Sequence, residues 1–470
     1  MENTIFREYD IRGKVGTELI IDEVYHLTCA IAYYFKERAP QIKTIAVGMD
    51  GRIHSPAIKA EMCRALVDSG LSVIFVGLCA TPAFYFALHT LPVDGGLMIT
   101  ASHNGKEYNG IKICLGTYSV WGNELQTIRD LYHAHKKITS HEKGSLTEHP
   151  ITEQYVAWLV NHFKDLKNMD LAAVVDCGNG TAGTVMPQLI KEMNWSRVKL
   201  LYPEVDGTYP HHPADPTEEK NMREVKQLLA NTDAEIGIGL DGDCDRMAAM
   251  TKEGFLVPGD QLLAVFAKPV IKKGVKERAV SIVYDIKSST GLSELVSKWG
   301  GKPVMSPSGH SIIKEYVKQH QALLGGELSC HFFFNDRYFG YDDGIYALCR
   351  LFEILHTSGK TVEQLIAVFP HKYSSREFRI FCPDDRKQLI VNAVRHALEQ
   401  RAGVSLITID GVRASMAYGW GIVRPSNTQP ALSIRFEGYT KQGLQQVKND
   451  FIAVLQSYIP ESNLTSLFNE

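Results

Sequence analysis

The sequence has 470 residues, of which 44% are hydrophobic and 22% charged, and its formal net charge is -3. This length is about three times a usual domain of roughly 150 residues, so we expect three or four domains with substantial buried cores. The composition excludes a disordered or fibrous chain, and the charge gives no electrostatic reason to bind nucleic acid or a membrane surface. An anionic ligand must therefore be met by locally placed positive charge.

Targeting signals and cysteine usage point to a reducing compartment. Residues 1–13 run directly into charged positions, without the basic start and apolar stretch of a signal peptide, and no apolar segment approaches the roughly 20 residues that span a bilayer. The nine cysteines form no CxxC pair, and Cys29, Cys79 and Cys114 lie inside apolar runs, which favours reduced core thiols. We expect a cytoplasmic protein with no membrane partner.

One succession of strands and helices recurs three times along the chain. Each occurrence opens with an apolar, β-rich strand that ends at an aspartate, and these strands are 43–50, 171–176 and 280–285. The second strands are 71–77, 197–203 and 301–307, with a helix afterwards in at least the first and third occurrences. The third strands, each followed by a polar loop, are 95–100, 234–240 and 321–326. This alternation predicts mostly parallel sheets with helices on both faces, although many α/β chains look repetitive by eye.

After about residue 367 the pattern changes, which predicts a smaller domain of a different kind. Its predicted elements are a strand at 376–381, a helix at 384–400, short strands around Leu406 and Ala414, a strand at 431–437 and a helix at 441–458. The fold class is therefore α/β, with three similar mixed α/β domains and an α+β C-terminal domain. We place the four domains at 1–145, 146–250, 251–366 and 367–470. Ligands of such sheets gather beyond the carboxyl ends of the strands, so the loops after the third strands are the expected sites of chemistry.

The first of these loops, TASHNGKEYNGIKI at 100–113, contains a candidate nucleophile. A serine hydroxyl needs a group that removes its proton, and His103 or Lys112 could assist Ser102 in this way. Neighbouring serine and histidine are common, however, and segments rich in asparagine and glycine are often plain turns. This loop alone leaves both interpretations open.

The second loop, DGDCDRM, places Asp241, Asp243 and Asp245 at alternate positions. Three carboxylates so close repel one another unless a cation lies among them, and hard oxygen ligands suit Mg²⁺ or Ca²⁺. An EF-hand is excluded because Arg246 and Lys252 stand where that loop needs glycine and glutamate. We predict an Mg²⁺ site with open positions for phosphoryl oxygens, and the alternative is a solvated acidic turn.

Two further loops are weaker candidates when each is taken alone. GELSCH at 326–331 offers Glu327, Ser329 and His331 for hydrogen bonds to sugar hydroxyls, although a glutamate in a glycine-rich turn is more often merely exposed. RPSNTQP at 424–430 offers a guanidinium, hydroxyls and an amide that could clamp a phosphate, or form a polar hairpin turn.

Together the four loops resemble those of the α-D-phosphohexomutase family, most closely its bacterial phosphomannomutase and phosphomannomutase/phosphoglucomutase branch. The resemblance covers nearly the whole chain. The motifs that carry it, in the order of the family, are FREYDIRG, TASHN with YNGIK, DGDCDR, YDIK, SGHSIIK, GELSCH, YFGYDDGIY and RPSNTQP. Agreement of so many motifs in sequence is highly specific.

The resemblance implies a molecule in which each domain contributes one loop to a central cleft. It implies interconversion of hexose 6-phosphate and hexose 1-phosphate, with mannose preferred and glucose possible, through phosphate carried on Ser102. A hexose 1,6-bisphosphate would be both intermediate and activator. One Mg²⁺ per chain would be held by Asp241, Asp243, Asp245 and the phosphate on Ser102. We expect small hexose phosphates as the partners of a monomer or weak dimer, without nucleic acid.

The resemblance also implies roles for the other matching residues. Those near the reacting groups are His103, Lys112, Arg246 and His310. Those that bind the sugar or its second phosphate are Arg12, Lys287, Glu327, Ser329, His331, Arg424, Ser426, Asn427 and Thr428. The family often has proline where this chain has Gly105, and commonly has a small residue where this chain has Cys330. Neither difference removes a functional group. Pro425 stiffens the loop after Arg424.

Three alternatives to this function remain. Phosphoglucosamine mutases share the loops, but Leu328 between the glutamate and the serine resembles the mannose/glucose branch more. A Mg²⁺-dependent sugar phosphatase would fit the aspartates, but no separate aspartyl nucleophile motif is evident. A non-catalytic phosphosugar sensor would require loss of turnover although the serine, metal ligands and clamp are all retained.

Overall fold

The computed structural model describes residues 1–274, 278–426 and 430–460, together with 464 and 467. The chain forms two compact units. Unit 1 contains residues 1–266 and 329–366, and unit 2 contains residues 267–328 and 367–470. Each unit contains strands and helices of the predicted kinds, and helix Gly259–Lys273 has residues in both units.

Residues 1–148 fold as a mixed sheet with helices. The strands are β1 (Ile11–Lys14), β2 (Thr44–Met49), β3 (Ser72–Leu78), β4 (Gly95–Ile99), β5 (Tyr108–Leu115), β6 (Tyr118–Ser119) and β7 (Leu146–Glu148). The helices are α1 (Val24–Arg38), α2 (Ser55–Asp68), α3 (Thr81–Thr90) and α4 (Asn123–His133), with 3₁₀ turns at Asn3–Ile5 and Ile21–Glu23. Strand β2 pairs in parallel with β3 and β4, and β5 continues the sheet antiparallel to β4. A continuous apolar core that includes Ile45, Val47 and Leu97 buries this sheet against α1 and α2.

Residues 152–257 form a second sheet. Its strands are β8 (Ala173–Asp176), β9 (Val198–Leu201), β10 (Ile236–Leu240), β11 (Met247–Thr251) and β12 (Leu256–Val257). Its helices are α5 (Thr152–His162), α6 (Met186–Met193) and α7 (Arg223–Asn231), with 3₁₀ turns at Lys164–Leu166, Thr181–Thr184 and Glu219–Met222. Strand β8 lies in parallel between β9 and β10, and β11 returns antiparallel to β10.

Residues 259–366 supply a third set of elements. The strands are β13 (Ser281–Asp285), β14 (Lys302–Ser306), β15 (Leu324–Gly326) and β16 (Phe332–Phe334). The helices are α8 (Gly259–Lys273), α9 (Thr290–Lys298), α10 (His310–Gln319), α11 (Gly344–Ser358) and α12 (Val362–Ile366). In unit 2, β13 pairs in parallel with both β14 and β15. In unit 1, α11 packs against β10 and β11.

The C-terminal part of unit 2 is an antiparallel sheet covered by two helices. Its strands are β17 (Tyr373–Ser374), β18 (Phe378–Phe381), β19 (Ser405–Ile407), β20 (Val412–Met416), β21 (Gly419–Pro425) and β22 (Ala431–Gly438). Its helices are α13 (Asp384–Glu399) and α14 (Lys441–Leu455), which pack on β21 and β22 over a separate apolar core. This is the predicted α+β arrangement.

The threefold repetition is present in the sheets. In each occurrence the first strand lies in parallel between the second and third strands, as the alternation predicts. Antiparallel strands that the pattern did not predict extend the first two sheets beyond β4 and β10. The multi-domain α/β fold class is confirmed.

The cysteines and helices also bear on the expectations from composition. All nine cysteines are buried and free, as core thiols are expected to be. Within the described ranges, no helix combines the length and the apolarity required to cross a bilayer.

Candidate active site

Ser102 lies at the carboxyl end of β4, in a backbone conformation unusual for serine. Its φ is 51°, in the left-handed region, and its backbone N–H donates to Thr100 Oγ1 at 2.9 Å. The residue is 2% exposed. Its Oγ lies 3.0 Å from Asp241 Oδ2 and 3.1 Å from His103 Nδ1. The predicted nucleophile and the first predicted metal ligand are therefore in direct contact.

The three aspartates occupy the tight connection between β10 and β11. All three are fully buried, and each offers a carboxylate oxygen within 4.8 Å of the others. Cys244, at φ 66°, makes the turn that brings alternate side chains together. Asp243 accepts hydrogen bonds from Thr81 Oγ1 at 2.7 Å and Thr100 Oγ1 at 3.2 Å. Thus the first and second sheets of unit 1 position one acidic cluster.

The electrostatics of this cluster favour a bound cation. Burial, together with the charges of Asp245 and Asp243, raises the pKa of Asp241 well above its ordinary value. Burial also opposes ionisation of Asp245, but Lys112 and His331 outweigh it and hold the pKa of that carboxyl well below its ordinary range. The cluster therefore contains one strongly ionised carboxylate beside carboxylates that resist ionisation without further positive charge.

The residues present fit a hard divalent cation. Within the described part of the chain, Asp243 Oδ1 is buried and has no hydrogen-bond partner. Three converging carboxylates provide oxygen ligands of the kind that Mg²⁺ prefers, and they leave further coordination positions for phosphate oxygens or water. The cluster can therefore hold a metal ion next to Ser102. A second group with converging ligand atoms shares Asp245 and adds His331 and Asp342.

Basic side chains surround the acidic cluster within unit 1. Lys112 Nζ lies 2.8 Å from Asp245 Oδ2 and 3.8 Å from Asp243 Oδ2. Arg246 Nε lies 3.8 Å from Asp241 Oδ2, and its backbone N–H donates to Asp241 Oδ1 at 3.1 Å. The Lys112 side chain is 4% exposed. Its charge is therefore committed to the carboxylates rather than to solvent.

His331 connects the acidic cluster to Ser329. Arg246 Nε donates to His331 Nε2 at 3.2 Å. His331 Nε2 also lies 3.2 Å from Asp245 Oδ1. Ser329 Oγ lies 3.3 Å from His331 Nδ1. An antiparallel bridge between Arg246 and His331 fixes these backbones next to each other. The structure thus joins Ser329 and His331 to the predicted metal loop.

Arg12 reaches the same region from β1. Its Nη1 donates to Asn104 Oδ1 at 2.9 Å, and its Nη2 pairs with Asp10. The residue is 8% exposed. Arg12 is therefore placed against the loop that carries Ser102 and His103.

The remaining predicted site residues belong to unit 2. Lys287 Nζ lies 3.1 Å from Glu377 Oε2 and 3.8 Å from Asp285 Oδ2. Glu327 Oε1 accepts the Gly309 N–H at 2.6 Å, immediately before His310 begins α10. These side chains lie around the carboxyl ends of β13 and β15, where the sheet topology predicts ligands.

The tail loop is partly described. Arg424 Nε donates to Asp410 Oδ2 at 2.8 Å, and Lys387 Nζ donates to Ser426 O at 2.8 Å. Arg424 lies in β21 rather than in a loop, because this strand continues to Pro425. Asn427 and Thr428 lie outside the described residues.

Three buried residues in unit 1 were not singled out from the sequence. Arg52 donates to backbone carbonyls of the Ser102 loop, and Thr81 and Thr100 donate to Asp243. Thr81 lies in none of the motifs, and Thr100 opens the TASHN motif, in which only Ser102 and His103 received roles. Arg52 carries a sequence signal, since it follows the strand that ends at Asp50, at the edge of the sheet where ligands gather.

Comparison with known proteins identifies related chains over the whole length. The matching family descriptions are "Phosphoglucomutase/phosphomannomutase, alpha/beta/alpha domain I" at residues 3–139, domain II at 153–254, domain III at 258–373, and the C-terminal domain at 377–454. A phosphomannomutase/phosphoglucomutase of Pseudomonas syringae pv. tomato is 38% identical over 99% of this chain and 97% of its own. A phosphoglucomutase of Neisseria meningitidis serogroup A is 37% identical over 96% and 97%.

A solved structure agrees with these matches. The crystal structure of a phosphoglucomutase/phosphomannomutase family protein from Burkholderia thailandensis superposes with a TM-score of 0.88. The two chains are 32% identical, and the alignment covers 98% of this chain and 99% of that one. The chain therefore belongs to the phosphoglucomutase/phosphomannomutase family.

Proposed function

We propose that this protein is a phosphohexomutase, an isomerase that interconverts hexose 6-phosphate and hexose 1-phosphate through phosphate carried on Ser102. The observation that supports this most is the 3.0 Å contact between Ser102 Oγ and Asp241 Oδ2 in a buried three-carboxylate cluster. A hydroxyl in that position can accept a phosphoryl group whose oxygens complete the coordination of a cation.

One Mg²⁺ would be held by Asp241, Asp243 and Asp245, together with an oxygen of the phosphate on Ser102. When bound, it supplies positive charge to the phosphoryl oxygens. Arg246 and Lys112 add fixed positive charge on two sides of the cluster. His103, at 3.1 Å from the hydroxyl, orients Ser102 Oγ by a hydrogen bond.

The transfer is balanced in bonds and protons. The P–O bond to Ser102 Oγ breaks while a new P–O bond forms to the free hydroxyl of the hexose monophosphate. The proton of that hydroxyl passes to a base, and Ser102 Oγ takes up a proton as it leaves phosphorus, which restores the serine hydroxyl. In the return transfer each proton moves in the opposite direction. The resulting hexose 1,6-bisphosphate turns around and returns its other phosphate to Ser102. For the base we propose His310 or Lys112, with no preference between them.

Further residues are proposed to hold the sugar and its second phosphate. Glu327, Ser329 and His331 offer hydrogen bonds to sugar hydroxyls. The groups proposed for the phosphate that is not transferred are Arg424, Ser426, Asn427 and Thr428. Arg12 and Lys287 are proposed as further substrate-binding residues. Coupled assays with mannose 1-phosphate, glucose 1-phosphate and glucosamine 1-phosphate would rank the substrates, and a preference for the amino sugar would select the phosphoglucosamine mutase alternative.

The site carrying the phosphate is tested by intact mass and by substitution. After incubation with glucose 1,6-bisphosphate, we expect a gain of one phosphoryl unit that peptide mapping places on Ser102. We expect Ser102→Ala to lose more than about nine-tenths of mutase turnover, because no other hydroxyl replaces the carrier. Ser145→Ala, at an exposed serine of the same unit, is the matched control. Retention of more than about a tenth of turnover by Ser102→Ala would refute the proposal.

We also propose the division into domains at 1–145, 146–250, 251–366 and 367–470, the first three α/β and the last α+β. Limited proteolysis with mass spectrometry would test whether cleavage falls at these boundaries. We propose a cytoplasmic monomer or weak dimer, and nine buried free cysteines support a reducing compartment. Sedimentation at several protein concentrations would test the oligomeric state.

A further inference from the structure

Arg52 is a buried arginine next to the loop that carries Ser102, and the proposed reaction gives it no direct role. It lies between β2 and α2, and its side chain is 0% exposed. A buried guanidinium stays charged and requires partners for its donors. Its partners therefore reveal what it does.

All five N–H groups of Arg52 have acceptors. Nε lies 3.1 Å from Asp50 Oδ2. Nη2 donates to the carbonyls of Ser102 and Asn104, both at 2.7 Å, and Nη1 donates to those of Gly105 at 2.8 Å and Tyr108 at 3.1 Å. Because a guanidinium has five donors, none is left to bind a phosphate. Arg52 is thus built to hold backbone rather than substrate.

The segment held by Arg52 includes a strained residue. Ser102 has a φ of 51°, a conformation that a non-glycine residue keeps only when its surroundings enforce it. Thr100 Oγ1 accepts the N–H of Ser102, and Arg52 Nη2 binds its carbonyl. The backbone N–H and the carbonyl of Ser102 are therefore both held by hydrogen bonds, and its Oγ points at Asp241.

Arg52 is itself held in place. Asp50 Oδ1 accepts the Arg52 N–H at 3.0 Å and the Ser55 hydroxyl at 2.8 Å. The ring of Tyr209 lies under the guanidinium, 5.3 Å from its central carbon. Asp50 supplies the compensating charge, so the clamp is complete without any ligand.

We propose that Arg52 is a positioning residue that holds the Ser102 loop in its reactive geometry through the four carbonyls, with Asp50 orienting the guanidinium. This inference rests on Ser102 as the phosphate carrier. Lysine has three donors on a single nitrogen and cannot span carbonyls on four residues, so Arg52→Lys keeps the charge and loses the clamp.

The test compares steady-state kinetics of Arg52→Lys and wild type with glucose 1-phosphate as substrate and glucose 1,6-bisphosphate as activator. A misplaced nucleophile is expected to lower kcat about 100-fold. The KM is expected to stay within about threefold, because Arg52 does not touch the sugar. Arg64→Lys, at an exposed arginine of α2, is the matched control and should behave as wild type.

Two further variants separate positioning from folding. Arg52→Ala should regain kcat when millimolar methylguanidinium is added, whereas methylammonium should have no effect. Asp50→Asn, which leaves Ser102 untouched, should also lower kcat with little change in KM. The proposal is overturned if Arg52→Lys and Asp50→Asn both keep kcat within about threefold of wild type, or if their losses disappear after correction for the folded fraction.

Failure of this inference is distinguishable from failure of the proposed function. If wild type takes up phosphate on Ser102 and the Arg52 variants turn over normally, only the role of Arg52 is wrong. If wild type has no mutase activity, or Ser102→Ala is fully active, the proposed function is wrong whatever Arg52 does.

Discussion

At the scale of single residues, the cost of burying charge decides how the site is built. Asp241, Asp243 and Asp245 are each 0% exposed, and ionised carboxylates are not buried without compensation. Lys112 supplies one positive charge at 2.8 Å from Asp245, and it comes from β5, far away in sequence. A bound cation would supply the rest. The site is therefore a balanced set of charges in which removal of one member leaves the others uncompensated.

Lys112→Met should destabilise the metal-free protein. Removing one partner of a buried ion pair leaves an uncompensated charge, which costs about 3–5 kcal/mol of unfolding free energy. Urea unfolding in EDTA measures this difference. Lys106→Met, at an exposed lysine in the same segment, is the control and should change stability by less than about 0.5 kcal/mol. A loss below about 1 kcal/mol in Lys112→Met would show that Asp245 does not depend on this charge.

At the scale of elements, the three strands that end at an aspartate share a structural feature. Asp50, Asp176 and Asp285 are all buried, and each binds the loop that follows its strand. Asp50 accepts the N–H of Arg52, Asp176 accepts the N–H of Gly178 at 2.8 Å, and Asp285 accepts the hydroxyl of Ser288 at 2.7 Å. The repeated carboxylate closes the carboxyl end of each first strand, and its local partners are within reach of sequence reasoning.

Contacts between residues that are distant in sequence could not be predicted from the sequence pattern. Thr81 and Asp243 are 162 positions apart, and Arg52 and Ser102 are 50 apart, so no local periodicity reports their contact. The segment 100–113 was interpreted as one loop, whereas residues from Tyr108 onward form β5. Pairing with β4 and β1 on both sides stabilises this strand despite its asparagine and glycine, and tertiary pairing of that kind overrides local turn preference.

The segment between β9 and α7 carries a pH-dependent contact. His212 Nε2 lies 3.0 Å from Asp176 Oδ2. Burial of the ring opposes protonation, but the hydrogen bond and charge of Asp176 outweigh it and raise the pKa of His212 above 6.5. A raised folded-state pKa means that the stabilisation is fully present below about pH 6.5 and is lost as the pH rises through the raised value.

His212→Gln should therefore cost more stability at about pH 6 than at about pH 8. Urea unfolding of wild type and variant at both values measures the difference. The control is His141→Gln, at an exposed histidine, which should change the unfolding free energy by the same small amount at both pH values. A loss in His212→Gln that does not depend on pH would mean that His212 acts through packing or a neutral hydrogen bond.

At the scale of the whole molecule, some of the residues proposed to bind metal or substrate belong to unit 1 and others to unit 2. The acidic cluster and Ser102 belong to unit 1, whereas Lys287 and Arg424 belong to unit 2. In unit 2 these two cations are each paired with a carboxylate, Glu377 and Asp410 respectively. The proposed metal ligands therefore all belong to unit 1, whereas Arg424, proposed for the phosphate that is not transferred, belongs to unit 2.

This division predicts where Mg²⁺ stabilises the protein. At a free Mg²⁺ concentration about 100 times the Kd, binding to the folded state alone adds about 2.7 kcal/mol, and EDTA removes it. Because the proposed ligands are Asp241, Asp243 and Asp245, the added protection from hydrogen exchange should be concentrated in β10 and β11 rather than in β20 to β22. Asp243→Asn should show neither the Mg²⁺-dependent rise in Tm nor the added protection from hydrogen exchange, because it removes one carboxylate ligand without changing the shape of the side chain. Equal Mg²⁺ stabilisation of wild type and Asp243→Asn, or protection confined to unit 2, would place the metal outside the carboxylate cluster.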